Sequence, residues 1–224
     1  MKLEIIARDL YDIELINRSN ADRIEFCSNL QVGGLTPTFF EIKNTFSKIP
    51  VNVMIRETNR DFIYSEDEMK LLLNEIEFCG KSNNISGVVF GMLTKENDID
   101  IKHLKTAVSL AKEYNMTVTF HKAFDLINDF EEGYKILCDL KIDYVLTACG
   151  SNIIENITTL NKLKNIKGHT KILGGGGINS DNIDKVKDVV DEIHLGTLAR
   201  ENNSFNYPVD VLKINKLKKL ITGG

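Results

Sequence analysis

Short β-branched and aromatic runs recur along the chain, each ending on a residue able to do chemistry or bind an anion, and a stretch of helical spacing follows. Ile24-Glu25-Phe26-Cys27, Val51-Asn52-Val53-Met54-Ile55-Arg56, Thr117-Val118-Thr119-Phe120-His121, Tyr144-Val145-Leu146-Thr147, Lys171-Ile172-Leu173-Gly174 and Glu192-Ile193-His194-Leu195-Gly196 share this form. The period predicts strands near residues 2–6, 22–27, 50–56, 86–91, 116–121, 143–147, 170–174 and 190–196. Between them, Ser65 with Glu68 and Asn128 with Glu131 read as capping boxes, which satisfy the orphan amides of a helix start. Met69, Leu72, Leu73 and Ile76 form one apolar stripe that Gly80 is expected to end, and a last helical run covers Val209 to Ile221. Eight strands, each followed by a helix, predict an α/β fold, a (β/α)8 TIM barrel, as one domain over residues 1–224.

Barrels of this kind bind ligands at the carboxyl ends of their strands, so the pattern locates a site before it names a reaction. Alternation turns Glu4, Glu25, Cys27, Asn52, Met54, Arg56, Thr117, Thr119 and His121 into the barrel. Charges in that interior need partners, so Glu4, Glu25, Arg56 and His121 are expected to share theirs. Such a set reads either as a structural ion-pair network or as a functional cluster at strand ends. The loops Ser28 to Pro37, with Gly33-Gly34, and Glu57 to Tyr64 follow strand ends and belong to the same face. Gly174-Gly175-Gly176-Gly177-Ile178-Asn179 ends strand seven and is expected to open a helix. The amides of Gly175, Gly176 and Gly177, with Gly196 after strand eight, would then receive an oxyanion or phosphate; the alternative is a plain flexible turn. His194 reads equally as a core histidine or as a ligand, and His103 and His169 lie away from this face.

Composition narrows the partners. Twenty-eight basic against thirty-two acidic residues give a net charge of -4, and no basic tract exceeds Lys216-Leu217-Lys218-Lys219, which argues against nucleic acid. No apolar run approaches the roughly 18 residues of a membrane span, and Met1 leads directly into a strand. A soluble, cytoplasmic protein with no membrane partner is the expectation. Four cysteines stand far apart without a Cys-x-x-Cys pair, as reduced thiols do; Cys79 and Cys138 fall in apolar helical patterns, and Cys27 and Cys149 at strand ends. No His-Glu-x-x-His or Cys-x-x-Cys motif is present and no nucleotide cofactor is indicated, so a metal site would have to be assembled from different strands.

With these residues laid out, the chain resembles the CutC family, named for copper homeostasis, from Met1 to about Gly196. The motifs that carry the resemblance are Leu3-Glu4, Ala21-Asp22-Arg23-Ile24-Glu25-Phe26-Cys27-Ser28-Asn29-Leu30 with Gly33-Gly34-Leu35-Thr36-Pro37, and Val53-Met54-Ile55-Arg56 with Asp61-Phe62. Val88-Val89-Phe90-Gly91 with Leu93-Thr94, Phe120-His121-Lys122-Ala123-Phe124-Asp125, Leu146-Thr147 and Gly175-Gly176-Gly177-Ile178-Asn179 follow in order. The resemblance implies a cytoplasmic TIM barrel, a homo-oligomer, with a copper-binding and copper-handling role that is contested within the family. It carries over Glu4, Glu25, Cys27, Arg56, His121 and Asp125 as the recurrent polar residues. Where the family's first strand often has a cysteine this chain has Ile6, the Arg-Pro-Arg pattern becomes Arg56-Glu57-Thr58, and the arginine after the strand-five histidine becomes Lys122.

Two functions follow. In the first, resting on the resemblance, Cys27 is the principal soft ligand for Cu(I) and His121 a second; one thiolate without a methionine cluster makes this a weak site. In the second, resting on the residues, the chain is an enzyme of isomerase or lyase type acting on a small anionic or phosphorylated metabolite. Its cradle is Gly175 to Gly177 with Gly196, its anion clamp Arg56 and its acid/base pair Glu25 and His121; Asp125, which the resemblance carries over, joins the catalytic set. Alternation after His121 turns Lys122 toward the helix layer, which argues against a Schiff base.

Overall fold

Strands of four residues with every side chain buried need cover on both faces, and a closed parallel barrel inside a ring of helices supplies it. The computed structural model describes residues 1–223 and shows that arrangement. The strands are β1 (Lys2–Ala7), β2 (Arg23–Phe26), β3 (Val51–Met54), β4 (Gly87–Phe90), β5 (Thr117–Phe120), β6 (Tyr144–Thr147), β7 (Lys171–Gly174) and β8 (Glu192–Leu195). Each pairs in parallel with the next, and β1 pairs with β8 to close the barrel. The helices between and after them are α1 (Leu10–Ile16), α2 (Phe39–Lys43), α3 (Glu66–Gly80), α4 (Ile101–Glu113), α5 (Phe130–Asp139), α6 (Ile157–Asn165), α7 (Ile183–Val186) and α8 (Val211–Thr222). Among the described residues no helix is long and apolar enough to cross a membrane.

Alternation sorts the side chains as the pattern predicts. Ile24, Phe26, Val53, Phe90, Val118, Phe120, Val145 and Ile193 point outward into one apolar core with the helices. Inside the barrel the apolar side chains form two separate groups, Cys27 with Met54 and Val89, and Tyr144 with Leu146 and Leu173. Charged residues occupy the barrel interior beside them. Cys79 and Cys149 are buried like Cys27, and Cys138 is half-buried against the outer core.

The helix ends follow the predicted logic at one site and depart from it at three. Ser65 and Glu68 form the capping box of α3, with Ser65 N–H donating to Glu68 Oε2 at 2.8 Å. At α5 the cap is Asp129, one residue later than expected, because its Oδ1 accepts the N–H groups of both Glu131 and Glu132 at 3.0 Å. Asn128 donates instead to Glu96 O across a loop. Gly80 does not end α3 by a left-handed turn; the helix closes on Lys81 in the right-handed region, and Gly80 is small because the Tyr114 ring lies against it. The third departure is the glycine run, which does not open a helix. α7 begins only at Ile183, after Asn179 and Asn182 bond each other's backbone N–H groups at 2.8 and 3.1 Å, a local turn that competes with helix.

Glu75 is buried on α3, where it accepts from Thr36 Oγ1 at 3.1 Å. Burial and the neighbouring Glu57 carboxylate push its carboxyl up to about 9. The folded protein thus holds this proton more tightly than the unfolded chain, so Glu75 lowers stability increasingly as pH rises from the ordinary carboxyl range toward that value. Glu75→Gln keeps the hydrogen bonds without the charge. Denaturant titrations should show it more stable by about 1–2 kcal/mol near pH 8 and neutral near pH 4, and a variant less stable at pH 8 would refute the assignment.

Candidate functional site

The barrel interior is organised on Arg23, an inward residue of β2. Its Nε makes a short ion pair with Glu4 Oε2, its Nη1 lies 2.8 Å from Glu192 Oε2, and its guanidinium sits 4.1 Å from the Tyr144 ring centroid. Glu4 then meets His194 of β8, with Nδ1 2.7 Å from Oε1, and the same Nδ1 lies 3.9 Å from Glu25 Oε2. The Cys27 thiol donates to Glu25 Oε1 at 3.2 Å, and Glu25 Oε2 makes no hydrogen bond. A single column therefore runs from Glu192 through Arg23, Glu4 and His194 to Glu25 and Cys27.

These contacts set the protonation states. Burial raises Glu4, but Arg23 and His194 outweigh it and hold the carboxyl down at about 2. Burial dominates at Glu25, which is raised, and burial with the adjacent Glu25 lifts the Cys27 thiol well above its ordinary value. At His194 burial is opposed by the carboxylates of Glu25 and Glu4, with a net rise. The expected sharing of partners among Glu4, Glu25, Arg56 and His121 is not found: Glu4 and Glu25 belong to the column, and Arg56 and His121 stand apart from it. Arg23, which completes the column, was legible from alternation, since it lies two residues before Glu25.

Above the column a cavity of about 100 Å³ opens at the carboxyl face, lined among others by Ile6, Glu25, Met54, Arg56, Phe62, His121, Lys122 and His194. Arg56 follows β3 and is buried; its guanidinium donates to Arg60 O at 3.2 Å and lies 4.7 Å from the Phe62 ring centroid. Its backbone N–H donates to Thr36 Oγ1 at 2.8 Å, tying the ends of β2 and β3 together. His121, after β5, accepts the Ala123 N–H at Nδ1 at 3.2 Å, and its Nε2 makes no hydrogen bond. Burial first, and then the Arg56 charge, push this imidazole down to about 3. Glu25 and His121 thus do not form a hydrogen-bonded pair; the imidazole beside Glu25 is His194.

Lys122 corrects another expectation. The strand ends at Phe120 and a 3-10 turn, Lys122–Leu126, begins, so alternation no longer governs it. Its ammonium reaches the mouth, bonding Gly175 O at 3.2 Å and the Asp125 carboxylate. Asp125 lines neither cavity at the mouth. Its Oδ1 accepts from Thr147 Oγ1 at 2.6 Å, Ala148 N at 2.9 Å and Gly150 N at 3.2 Å, so it holds the loop after β6.

A second cavity of about 260 Å³ is lined by Gly175, Gly176, Gly177, Gly196, Thr197 and Phe205, and shares Ile6, Lys122 and His194 with the first. Gly176 and Gly177 have φ of 113° and 79°, a left-handed backbone that only glycine adopts without strain. Among the described residues their N–H groups find no acceptor, whereas the Gly175 N–H donates to Thr147 O at 3.1 Å. Two of the three predicted amides are therefore free.

Glu4, Glu25 and His194 present one ligand atom each, all within 4.8 Å of one another, as a cation site would require. Two carboxylates and an imidazole suit a borderline divalent cation better than Cu(I). Cys27 is outside this set, and its buried, protonated thiol is not a ready Cu(I) ligand.

The model of the CutC family matches residues 1–199. A family protein CutC from Glaesserella parasuis serovar 5 is 36% identical over 209 residues, covering 91% of this chain and 85% of the relative. The structure described as a copper homeostasis protein CutC from Streptococcus agalactiae superposes with a TM-score of 0.79 at 28% identity, over 88% of this chain and 98% of that one. A 3-keto-L-gulonate-6-phosphate decarboxylase from Vibrio cholerae superposes with a TM-score of 0.64 at 10% identity, over 99% and 97%, which shows the shared barrel fold.

Removing the guanidinium would leave Glu192 buried without its counter-charge and Glu4 with His194 alone. Arg23→Ala should therefore cost about 3–5 kcal/mol in urea unfolding, and a loss under about 1 kcal/mol would show that the column does not brace the barrel.

Proposed function

This chain belongs to the CutC family, and from the cleft at its barrel mouth we propose that it is an enzyme transferring a proton on a small anionic, phosphorylated metabolite. The observation that carries this reading is that the two cavities adjoin, with Ile6, Lys122 and His194 in the walls of both. One end of the cleft offers the free amides of Gly176 and Gly177 beside Gly196 and the Lys122 ammonium. Loops after the seventh and eighth strands are where barrels of this class commonly hold a phosphate. The other end offers Glu25, whose raised pKa makes it a better base than an exposed carboxylate, with His194 beside it to exchange charge. Arg56 would hold a second negative group of the substrate.

Copper handling, named in the description of the Streptococcus agalactiae relative, is the second reading. Its support is the packing of Cys27 against Met54, two sulfur side chains buried together near the mouth. With Ile6 in place of the strand-one thiol and the Cys27 proton tightly held, we assign this site weak affinity for Cu(I). A cytoplasmic location and a homo-oligomer belong to the same proposal: the cysteines are unpaired, and Phe40 and Phe46, 72% and 73% exposed, are apolar surface that a second subunit could cover.

Inorganic phosphate should perturb the amide resonances of Gly176 and Gly177. Gly176→Val, strained at its positive φ by about 1–3 kcal/mol, should weaken phosphate at least tenfold while the circular dichroism of the barrel persists. Phosphate bound only away from this loop would defeat the proposal. For copper, competition against a Cu(I) chelator should reveal at most a weak site that Cys27→Ser abolishes; a tight stoichiometric site surviving that substitution would refute the assignment to Cys27.

A further inference from the structure

The polar groups of the mouth cavity come from different strands of the barrel. Glu25 and His194, from the adjoining region of β2, β1 and β8, carry the exchangeable protons. Arg56 and His121 follow β3 and β5. The orientation of the second imidazole is over-determined. A backbone N–H can only donate, so the Ala123 bond at 3.2 Å makes His121 Nδ1 an acceptor and leaves the ring proton of the neutral imidazole on Nε2. The ring occupies space that any side chain at Gly91 would take, since a Cβ there would lie 2.5 Å from Nδ1. Phe62 covers it, with ring centroids 4.7 Å apart. His121 is 3% exposed and lines the cavity, yet its Nε2 has no partner within the protein.

A buried donor without an acceptor is costly, and a site that retains one gains when a ligand supplies the acceptor. The charged groups around this ring are Arg56 at the end of β3, Lys122 at the rim, and Glu25 and His194 across the cavity. Burial and Arg56 together keep the imidazole neutral, so it donates without surrendering its proton.

We propose that His121 acts as a neutral Nε2–H donor which, with the Arg56 guanidinium, forms a clamp for an oxyanion, and that the substrate is a small carbonyl compound whose oxygen becomes negative there. This rests on the reading of the cleft as an active site. Glu25 takes a proton from the carbon next to the carbonyl: the C–H bond breaks, an O–H bond forms on the carboxylate, the freed pair becomes C=C, and the carbonyl π pair moves to oxygen. Nothing is oxidised or reduced. Fixed donors aimed at a developing oxyanion are among the strongest contributions to such a step. Where the carbon that lost the proton carries a hydroxyl, the hydroxyl proton passes to the former carbonyl oxygen, the Glu25 proton returns to the former carbonyl carbon, and the hydroxyl oxygen becomes the new carbonyl, which gives an isomer.

The test uses the full chain, ¹⁵N-labelled, with oxalate as a planar oxyanion probe and inorganic phosphate as an independent probe of the glycine loop. Long-range ¹⁵N–¹H spectra should show His121 neutral and protonated on Nε2 from about pH 5 to 8, and oxalate should shift that Nε2 resonance. His121→Ala should weaken oxalate at least tenfold, and His121→Gln, which restores an N–H donor, should recover part of the loss. A ring protonated on Nδ1, an imidazolium in that range, or oxalate affinity indifferent to both substitutions overturns the clamp, even where phosphate still binds Gly176 and Gly177. Conversely, oxalate held by His121 with phosphate absent from the loop sustains the clamp and removes the phosphate end of the cleft.

Discussion

A guanidinium taken out of water costs several kcal/mol unless carboxylates and ring faces replace its hydration. Arg23 meets that demand with Glu4, Glu192 and the Tyr144 ring, and the interior of the barrel is arranged around the result. Its charge keeps Glu4 ionised, ionised Glu4 in turn favours a charged His194, and His194 stands within 3.9 Å of Glu25. A pairing in the middle of the barrel thereby reaches the protonation of the buried carboxyl group that lines the mouth cavity. Interior packing and the charge states at the mouth are one electrostatic problem in this protein.

Different strands bring different groups to the mouth. Neighbouring strands place Glu4, Glu25 and His194 together, where buried carboxylates and an imidazole exchange influence. Strands three and five deliver Arg56 and His121, whose guanidinium and locked tautomer present N–H groups to the cavity. The loops after strands seven and eight present backbone amides. Each group comes from a different crossover, so each can be changed without rebuilding the others.

The same geometry bears on the sulfur of Cys27. A thiol becomes a strong soft ligand when nearby positive charge or a metal draws off its proton. Here the facing group is Glu25, and burial and that carboxylate both act against thiolate formation. Met54 packs beside it but offers no positive charge. The sulfur atoms therefore contribute as much to filling one half of the barrel interior as to any affinity for metal.

Strand count, helix alternation and the inward faces were all legible in the residues, because a period of two along a strand assigns faces without knowing the partners. The α3 capping box was legible for the same local reason. What alternation cannot state is which inward charges meet across the barrel, since that depends on how neighbouring strands are staggered. Arg23 rather than Arg56 partners Glu4, and His194 rather than His121 lies beside Glu25. Nor does alternation extend past a strand's last residue: Lys122, one step into a 3-10 turn, reaches the mouth instead of the helix layer. Gly176 and Gly177 needed a left-handed loop that the run of glycines permitted but did not impose, and the Asn179–Asn182 turn postponed the helix. The sequence by itself determined the barrel and which side chains face its interior; the tertiary structure alone decided the pairings and tautomers, because these depend on distances between residues far apart in the chain.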